Sequence, residues 1–185
     1  ALSVPDRKQP NTIIDRLRHI SQLSDTSSRE GVTQLMQTVA LELLRKESSW
    51  NSAFFSQTRF LSDKYAEREF NEISTMERTK LDSESINKFG GLIDMSSDFT
   101  SSEPKGLADI KSTNVVVTLT LTVDQTDLKL QKVVNRDDVK EILKTISSQP
   151  SENLLAGEIV WAPANSNDVV SSEYVYRNFP KLVPL

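Results

Sequence analysis

The stretch that decides the fold is VVVTLTLTV, residues 115–123, in which apolar and hydroxyl side chains alternate. This period of two predicts a strand whose odd-numbered residues face the core and whose threonines lie on a partly buried second face. Asn135 then caps an amphipathic helix that stops before Pro150, and residues 154–161 form a second apolar strand. This order of elements predicts a β-α-β unit in which the two strands are adjacent and parallel.

Helical periodicity dominates the sequence ahead of this unit. Apolar residues recur at helical spacing in four stretches, at about 12–23, 28–46, 51–73 and 74–89. Asn11 is the expected cap of the first helix, Ser27 opens a capping box for the second, and Gly90-Gly91 ends the fourth. We therefore expect three to four helices packed against a small sheet, which is an α+β fold.

The chain is long enough for one domain with a substantial core. Residues 1–11 contain two prolines and predict an extended, weakly ordered lead-in, followed by a single α+β domain at 12–185. Within that domain we expect a helical half at 12–91, a flexible connector at 92–113 and a β-α-β half at 114–185. A functional loop is the alternative for the connector, which is rich in small polar residues.

Two strands alone are marginally stable, so the sheet is expected to have further members. Residues 128–130, the N-terminal segment or a partner chain would extend it. After the second strand, Ser171 or Ser172 opens a predicted short helix around Tyr174, and the apolar tail at 179–185 is expected to dock onto the core.

Composition excludes several classes of protein. The formal net charge is −4, with 22 basic and 26 acidic side chains, whereas a general nucleic-acid binder usually carries a basic face. We therefore expect no nucleic-acid partner. The absence of cysteine excludes disulfides, thiolate nucleophiles, zinc–thiolate sites and iron–sulfur clusters. No apolar run in the sequence reaches the ~20 residues that a membrane-spanning helix needs.

No arrangement of reactive side chains stands out. His19 is the only histidine, and it borders an expected apolar helix face without a neighbouring nucleophile. Asp137 and Asp138 follow a helix cap, where the positive end of the helix dipole accounts for them. The five glycines form neither a phosphate-binding loop nor a nucleophile elbow. We therefore predict that the chain is not an enzyme and that it holds no metal ion or cofactor.

Four aromatic residues near the C-terminus form the candidate interface: Trp161, Tyr174, Tyr176 and Phe179. Aromatic side chains bury large areas, and tryptophan and tyrosine are frequent anchors of protein interfaces. The close spacing of the last three predicts an apolar contact patch. Core packing is the alternative role for Trp161, as it is for Trp50.

Three segments, in order along the chain, carry a family resemblance. The first is SDTSSREG at 24–31, followed by LLR at 43–45 and by Trp50. The second is VVVTL at 115–119, and the third is EIVWAP at 158–163, with FPKL at 179–182. They resemble the A-D-T-S-x-x-E-G, L-L-R, I-V-V-T-L, E-V-L-W-T-P and Y-P-x-L patterns of a cyanobacterial and chloroplast family. This family is called domain of unknown function fifteen-seventeen and includes the plant fluctuating-light-acclimation proteins. The chain departs from the family pattern at Ala162, where the family usually has threonine.

The resemblance implies a chloroplast protein associated with the thylakoid or envelope membrane. Family members usually carry a transit peptide and a hydrophobic anchor ahead of this domain, so a membrane tether is expected upstream of the chain. The resemblance also implies protein partners in a plastid membrane complex, and it brings no catalytic residues.

We therefore expect a non-enzymatic protein-binding domain that acts in regulation, acclimation or assembly of photosynthetic complexes. One alternative is a fixed structural subunit of a larger plastid membrane assembly. The other is a small-ligand-binding or enzymatic domain with a cleft between the helical half and the sheet, in which His19 or Glu158 would be the active group.

Overall fold

The computed structural model describes residues 1–80, 85–88, 111–124 and 130–185. It has an α+β fold, as predicted, with helices on both faces of an antiparallel sheet. The helices are α1 (Ile13–Leu23), α2 (Arg29–Arg45), α3 (Asp63–Arg78), α4 (Arg136–Ser147) and α5 (Ser172–Asn178). The strands are β1 (Leu2–Val4), β2 (Ser52–Ala53), β3 (Ser85–Lys88), β4 (Thr113–Val123), β5 (Leu154–Ala162) and β6 (Val183–Pro184).

The main sheet has the strand order β1-β4-β5-β3, and all neighbouring strands in it are antiparallel. β4 and β5 form its centre, where Val117 lies opposite Trp161 and Thr120 lies opposite Glu158. β2 and β6 form a separate antiparallel pair. Successive side chains of a strand point to opposite faces of the sheet. Glu158 and Trp161 are three positions apart in β5, so they lie on different faces.

β4 and β5 lie side by side, as predicted, but the prediction that they are parallel is wrong. α4 begins beside the start of β4, because the Arg136 guanidinium donates to the carbonyl of Trp50, which bridges to Leu2 of β1. β5 begins beside the end of β4, where the amide of Asp124 donates to the carbonyl of Asn153. α4 therefore runs in the same direction as β4, and β5 has to return antiparallel to it.

The N-terminal segment is a strand of the main sheet rather than a weakly ordered lead-in. Leu2 and Val4 are buried, and β1 pairs with residues 113–115 before the chain reaches Pro5. Farther along, Arg7 is completely buried, and its guanidinium donates to the carbonyl of Ser166. The N-terminal segment is thus one of the additional sheet members that the sequence analysis considered.

Four helices lie close to their predicted positions: α1, α2, α4 and α5. The side chain of Asn135 caps α4 by accepting the amides of Asp137 and Asp138, as the sequence predicts. The caps of α1 and α2 are Thr12 and Ser28, each one residue after the expected cap. Each of these two hydroxyls accepts an amide of the first helical turn, which stabilises the helix start.

The two helices predicted within residues 51–89 are wrong in extent. Of the described residues in this range, those of α3 are helical, whereas residues 85–88 form β3. The segment before α3 is not helical, and at its start the Asn51 amide donates to the carbonyl of Ala1 while its carbonyl accepts the amide of Leu185. β3 pairs with the edge of β5. At Asn51 and at residues 85–88, hydrogen bonds to distant segments replace those of the predicted helices.

The two faces of the sheet are covered by different helices. On one face, α1, α2 and α4 enclose the main core, to which the odd-numbered residues of β4 contribute as predicted. α2 lies so close to β5 that a Cβ on Gly157 would be 2.9 Å from the terminal methyl of Met36. On the other face, α3 lies over β4 and β5. Beside it, α5 packs against the sheet in a second cluster of Val116, Ala162, Val170, Val175 and Phe179.

Two sequence predictions fall mainly on other parts of the chain. The flexible connector at 92–113 lies, up to residue 110, outside the described residues. The edge strand at 128–130 lies outside them as well, except for Leu130. Both stay predictions, as does the division into two halves, although α1, α2, β4 and β5 contribute to one core.

Candidate protein-interaction surface

The structure separates the four aromatic residues of the candidate interface. Trp161 is 1% exposed and lies in the main core, whereas Phe179 is buried in the second cluster on the opposite face. Tyr174 is half-buried, and its hydroxyl donates to the carbonyl of Lys80. Tyr176 is 72% exposed and is the one of the four that offers most of its side chain to another molecule. Trp161 thus has the surroundings of a core residue, and core packing is the alternative to the interface role considered for it from the sequence.

Tyr174 and Phe179 hold the end of α3 against α5. Lys80 follows α3, and its carbonyl accepts the Tyr174 hydroxyl. The Lys80 ammonium lies 5.4 Å from the centroid of the Phe179 ring, which is close enough for a cation–π contact. The same ammonium pairs with Glu77 in the last turn of the helix. These contacts connect the last turn of α3 to the C-terminal segment.

A buried ion pair joins α3 to the sheet. The Glu158 carboxylate is 1% exposed and accepts a hydrogen bond from the Arg78 guanidinium. The second carboxylate oxygen of Glu158, the Arg78 Nε and the Ser74 hydroxyl are buried without a hydrogen-bond partner in the structure as described. The sequence signal for this pair is a lone charge inside the apolar strand LLAGEIVWA. Its partner could not be found that way, because 80 residues separate the two.

His19 and Glu158 are not brought together. His19 is exposed on α1, on the face of the sheet that carries the main core, whereas Glu158 lies beneath α3 on the other face. Within the described ranges, no three His, Asp or Glu side chains converge where they could hold a metal ion. The alternative of an enzymatic cleft between the helices and the sheet could therefore use His19 or Glu158, but not both in one site.

Two concavities formed by described residues are open depressions. One, of about 470 Å³, is lined by side chains of α4 and the residue after it, including Lys140 and Lys144. The other, of about 230 Å³, lies between β1, the start of α1 and Lys46. Neither is lined by Glu158 or by a residue of the candidate interface. No helix among the described residues combines the length and the apolar character needed to span a membrane.

Large apolar side chains are exposed in the non-helical residues before α3 and in its first turn. Phe54, Phe60, Leu61 and Tyr65, here called the exposed apolar segment, are between 39% and 106% exposed. The Phe54 end is held in place, because Ala53 pairs with β6 and the Lys181 ammonium lies 5.6 Å from the centroid of the Phe54 ring. Exposed apolar side chains that follow one another along a short part of the chain are candidates for a protein interaction site. The sequence patterns missed this surface because they placed Phe54 and Leu61 in a predicted helix at about 51–73.

Comparison with known proteins identifies relatives in plants and cyanobacteria. FLUCTUATING-LIGHT-ACCLIMATION protein 1, chloroplastic, of Arabidopsis thaliana is 27% identical over 174 residues, which cover 94% of this chain and 43% of that protein. Protein FLAP1 homolog A of Synechocystis is 25% identical over 169 residues, which cover 90% of this chain and 50% of that protein. The chain therefore spans about half the length of these curated relatives. No solved structure matches it.

The family match extends over the whole chain. The model described as "Protein of unknown function (DUF1517)" matches residues 1–185. This is the family that the segments at 24–31, 115–119 and 158–163 resemble. The chain belongs to the DUF1517 family of proteins of unknown function.

Proposed function

We propose that this chain is a non-enzymatic protein-binding domain that acts in plastids in regulation, acclimation or assembly of photosynthetic membrane complexes. The names of its relatives support the setting, since one is a chloroplastic fluctuating-light-acclimation protein and the other a cyanobacterial homologue. The observation that carries the binding function is the exposed apolar segment. Tyr176, the exposed member of the predicted interface, is a second contact residue.

The physical case for binding rests on the free energy of covering these side chains. Fully burying a leucine or phenylalanine side chain contributes about 1.5–3 kcal/mol, so an uncovered Leu61 and its neighbours favour association with an apolar partner surface. Charged residues surround them, with Arg59, Asp63 and Lys64 all exposed. Protein interfaces commonly have an apolar centre within a polar rim. The partner is therefore a protein with an apolar docking surface and charges of both signs around it.

The experiment compares two exposed leucines. The chain is immobilised and exposed to detergent-solubilised thylakoid membranes, and the captured proteins are quantified by mass spectrometry. Leu61→Ser should reduce capture of a discrete partner at least about tenfold, which corresponds to ~1.4 kcal/mol. Leu23→Ser is the matched control, because Leu23 is 74% exposed at the end of α1 and lies outside the segment. The proposal fails if capture does not depend on Leu61, or if no protein exceeds background.

A further inference from the structure

The outer edge of β4 lacks a strand partner beyond residue 115 in the part of the chain that the structure describes. β1 pairs with residues 113–115 only, whereas β5 lies on the other side of β4 and pairs with residues 116–123. From Val117 to Val123, no described residue pairs with the side of β4 that faces away from β5, here called the open edge.

The peptide groups that face this open side can be identified from hydrogen bonds at the two ends of β4. The amides of Asn114 and Asp124 donate to the carbonyls of Val170 and Asn153, on the β5 side. Because successive peptide groups of a strand point to opposite sides, the other even-numbered residues also bond towards β5. The outward N–H and C=O groups belong to Val117, Leu119, Leu121 and Val123.

Within residues 117–123, the open edge lacks the sequence features that protect against strand pairing. Natural proteins usually place lysine, proline or a bulge on an exposed edge strand. Residues 117–123 contain neither a charged residue nor a proline. The register shift at Thr122 and Val123 comes from an extra residue in β5, since their partners are Ala156 and Leu154, so β4 itself stays regular. A regular, uncharged edge of this kind is a template for another extended strand.

The sequence of this edge is the same in both directions. Residues 117–123 read VTLTLTV, with Thr120 at the centre. An antiparallel copy related by a two-fold axis at Thr120 would place like against like: Val117 against Val123, Leu119 against Leu121, and Thr118 against Thr122. The outward peptide groups would then meet as hydrogen-bonded pairs, and matched aliphatic and threonine pairs across strands are favourable.

We infer that β4 pairs with β4 of a second copy of this chain, antiparallel and centred on Thr120, which joins two four-stranded sheets into one. The contact is isologous, so it closes as a dimer and leaves no further edge of β4 open. It is distinct from the proposed partner binding, because it uses the sheet edge and leaves the exposed apolar segment free.

A cysteine scan tests the register. The native chain contains no cysteine, so a single introduced thiol can cross-link only to another copy. In the inferred dimer the two Thr120 residues form a non-hydrogen-bonded pair with Cα atoms about 4.5 Å apart, within the ~4.4–6.8 Å that a disulfide spans. Thr120→Cys should therefore give a covalent dimer under mild oxidation, whereas Thr122→Cys, which faces Thr118 of the second copy, should not. Equal cross-linking of the two variants overturns the inference.

Charge substitution tests the same contact by sedimentation of the whole chain. Thr118→Lys with Thr122→Lys sets lysine against lysine twice and should weaken dimerisation about tenfold or more. Thr118→Lys with Thr122→Glu sets lysine against glutamate twice and should restore it. Both variants place two charges at the same half-buried positions, and thermal melting confirms that each folds.

Three results overturn the dimer: a monomeric native chain at every concentration, equal self-association of the two charged variants, or a monomer with slow amide exchange at Leu119 and Leu121. The last result would mean that another segment of the same chain covers the edge.

Discussion

Glu158 of β5 and Arg78 of α3 form an ion pair that fixes α3 to the second face of the sheet. The buried side chains of α3 are few, namely Ala66, Phe70 and Ser74. Beside these side chains, Glu158 is a buried charge that has to keep its partner on α3, so the ion pair makes the position of this helix specific. The exposed apolar segment ends in the first turn of this helix, so the positions of Leu61 and Tyr65 on the surface depend on how α3 is held.

Breaking this ion pair should destabilise the protein more than replacing it. Arg78→Met leaves the Glu158 carboxylate buried without a charged partner, which should lower the free energy of unfolding by about 3–5 kcal/mol. The double variant Arg78→Met/Glu158→Leu removes both charges and should lose much less, because no isolated charge is then buried. Urea unfolding of the three proteins measures this. A double variant that is less stable than Arg78→Met would contradict this account, because the unpaired charge of Glu158 would then not be the main cost of the single substitution.

Adding a methyl group at Gly31 should destabilise α2 despite the higher helix propensity of alanine. A Cβ there would lie 1.9 Å from the carbonyl oxygen of Asp25, whose side chain is itself held by Ser27 and Ser28. Gly→Ala at an open helix position gains ~1 kcal/mol, but this clash with backbone should reverse the sign and cost ~1–3 kcal/mol.

Gln34→Ala is the control for this prediction, because Gln34 is exposed on the same helix. Its effect on the free energy of unfolding should stay within about 0.5 kcal/mol. Both variants are compared by thermal and urea unfolding. A Gly31→Ala variant more stable than the native chain would contradict the prediction, because the backbone at Asp25 would then move at little cost in free energy.

Acid should weaken the contact between α1 and α2. Glu42 accepts from Arg16 of α1 at 2.9 Å and from Arg45 of its own helix at 2.6 Å. Burial alone raises the pKa of Glu42, but the hydrogen bonds and charges of the two arginines outweigh it, and the pKa lies below its ordinary value of 4.5. Because the pKa is lower in the folded state, this stabilisation is present above the ordinary pKa and is lost as the pH falls through the folded pKa.

Glu42→Gln removes that titration, so its free energy of unfolding should change less with pH than that of the native chain below pH 4.5. The measurement is a series of urea unfolding curves between neutral and acidic pH. Curves for the native and variant chains that fall in parallel through this range would mean that Glu42 does not contribute to the acid sensitivity.

Local sequence patterns account for much of the fold. The alternation in β4, the side-chain cap at Asn135 and the apolar stripe of α2 are each properties of neighbouring residues, and the structure has all three elements. The direction of β5 is different, because it depends on α4 starting beside Trp50, a contact across 86 positions. Residues 85–88 likewise become a strand through their pairing with β5.

The candidate surface could be predicted less well than the fold. Aromatic residue types indicated an interface, but exposure depends on which face of an element meets the core. Trp161 and Tyr176 are conspicuous in the sequence for the same reason, and the structure buries the first and exposes the second. Phe60 and Leu61 are exposed in the non-helical residues before α3, where the sequence patterns predicted a helix.

Protein binding through the exposed apolar segment can be tested at single positions. The photoreactive amino acid p-benzoylphenylalanine is placed at position 61 or at position 23 of the chain, which is then irradiated with thylakoid membranes. A discrete cross-linked protein should appear from position 61 and be absent from position 23, since both side chains are exposed but Leu61 alone lies in the segment. Equal cross-linking from the two positions, or none from position 61, would contradict the proposed function.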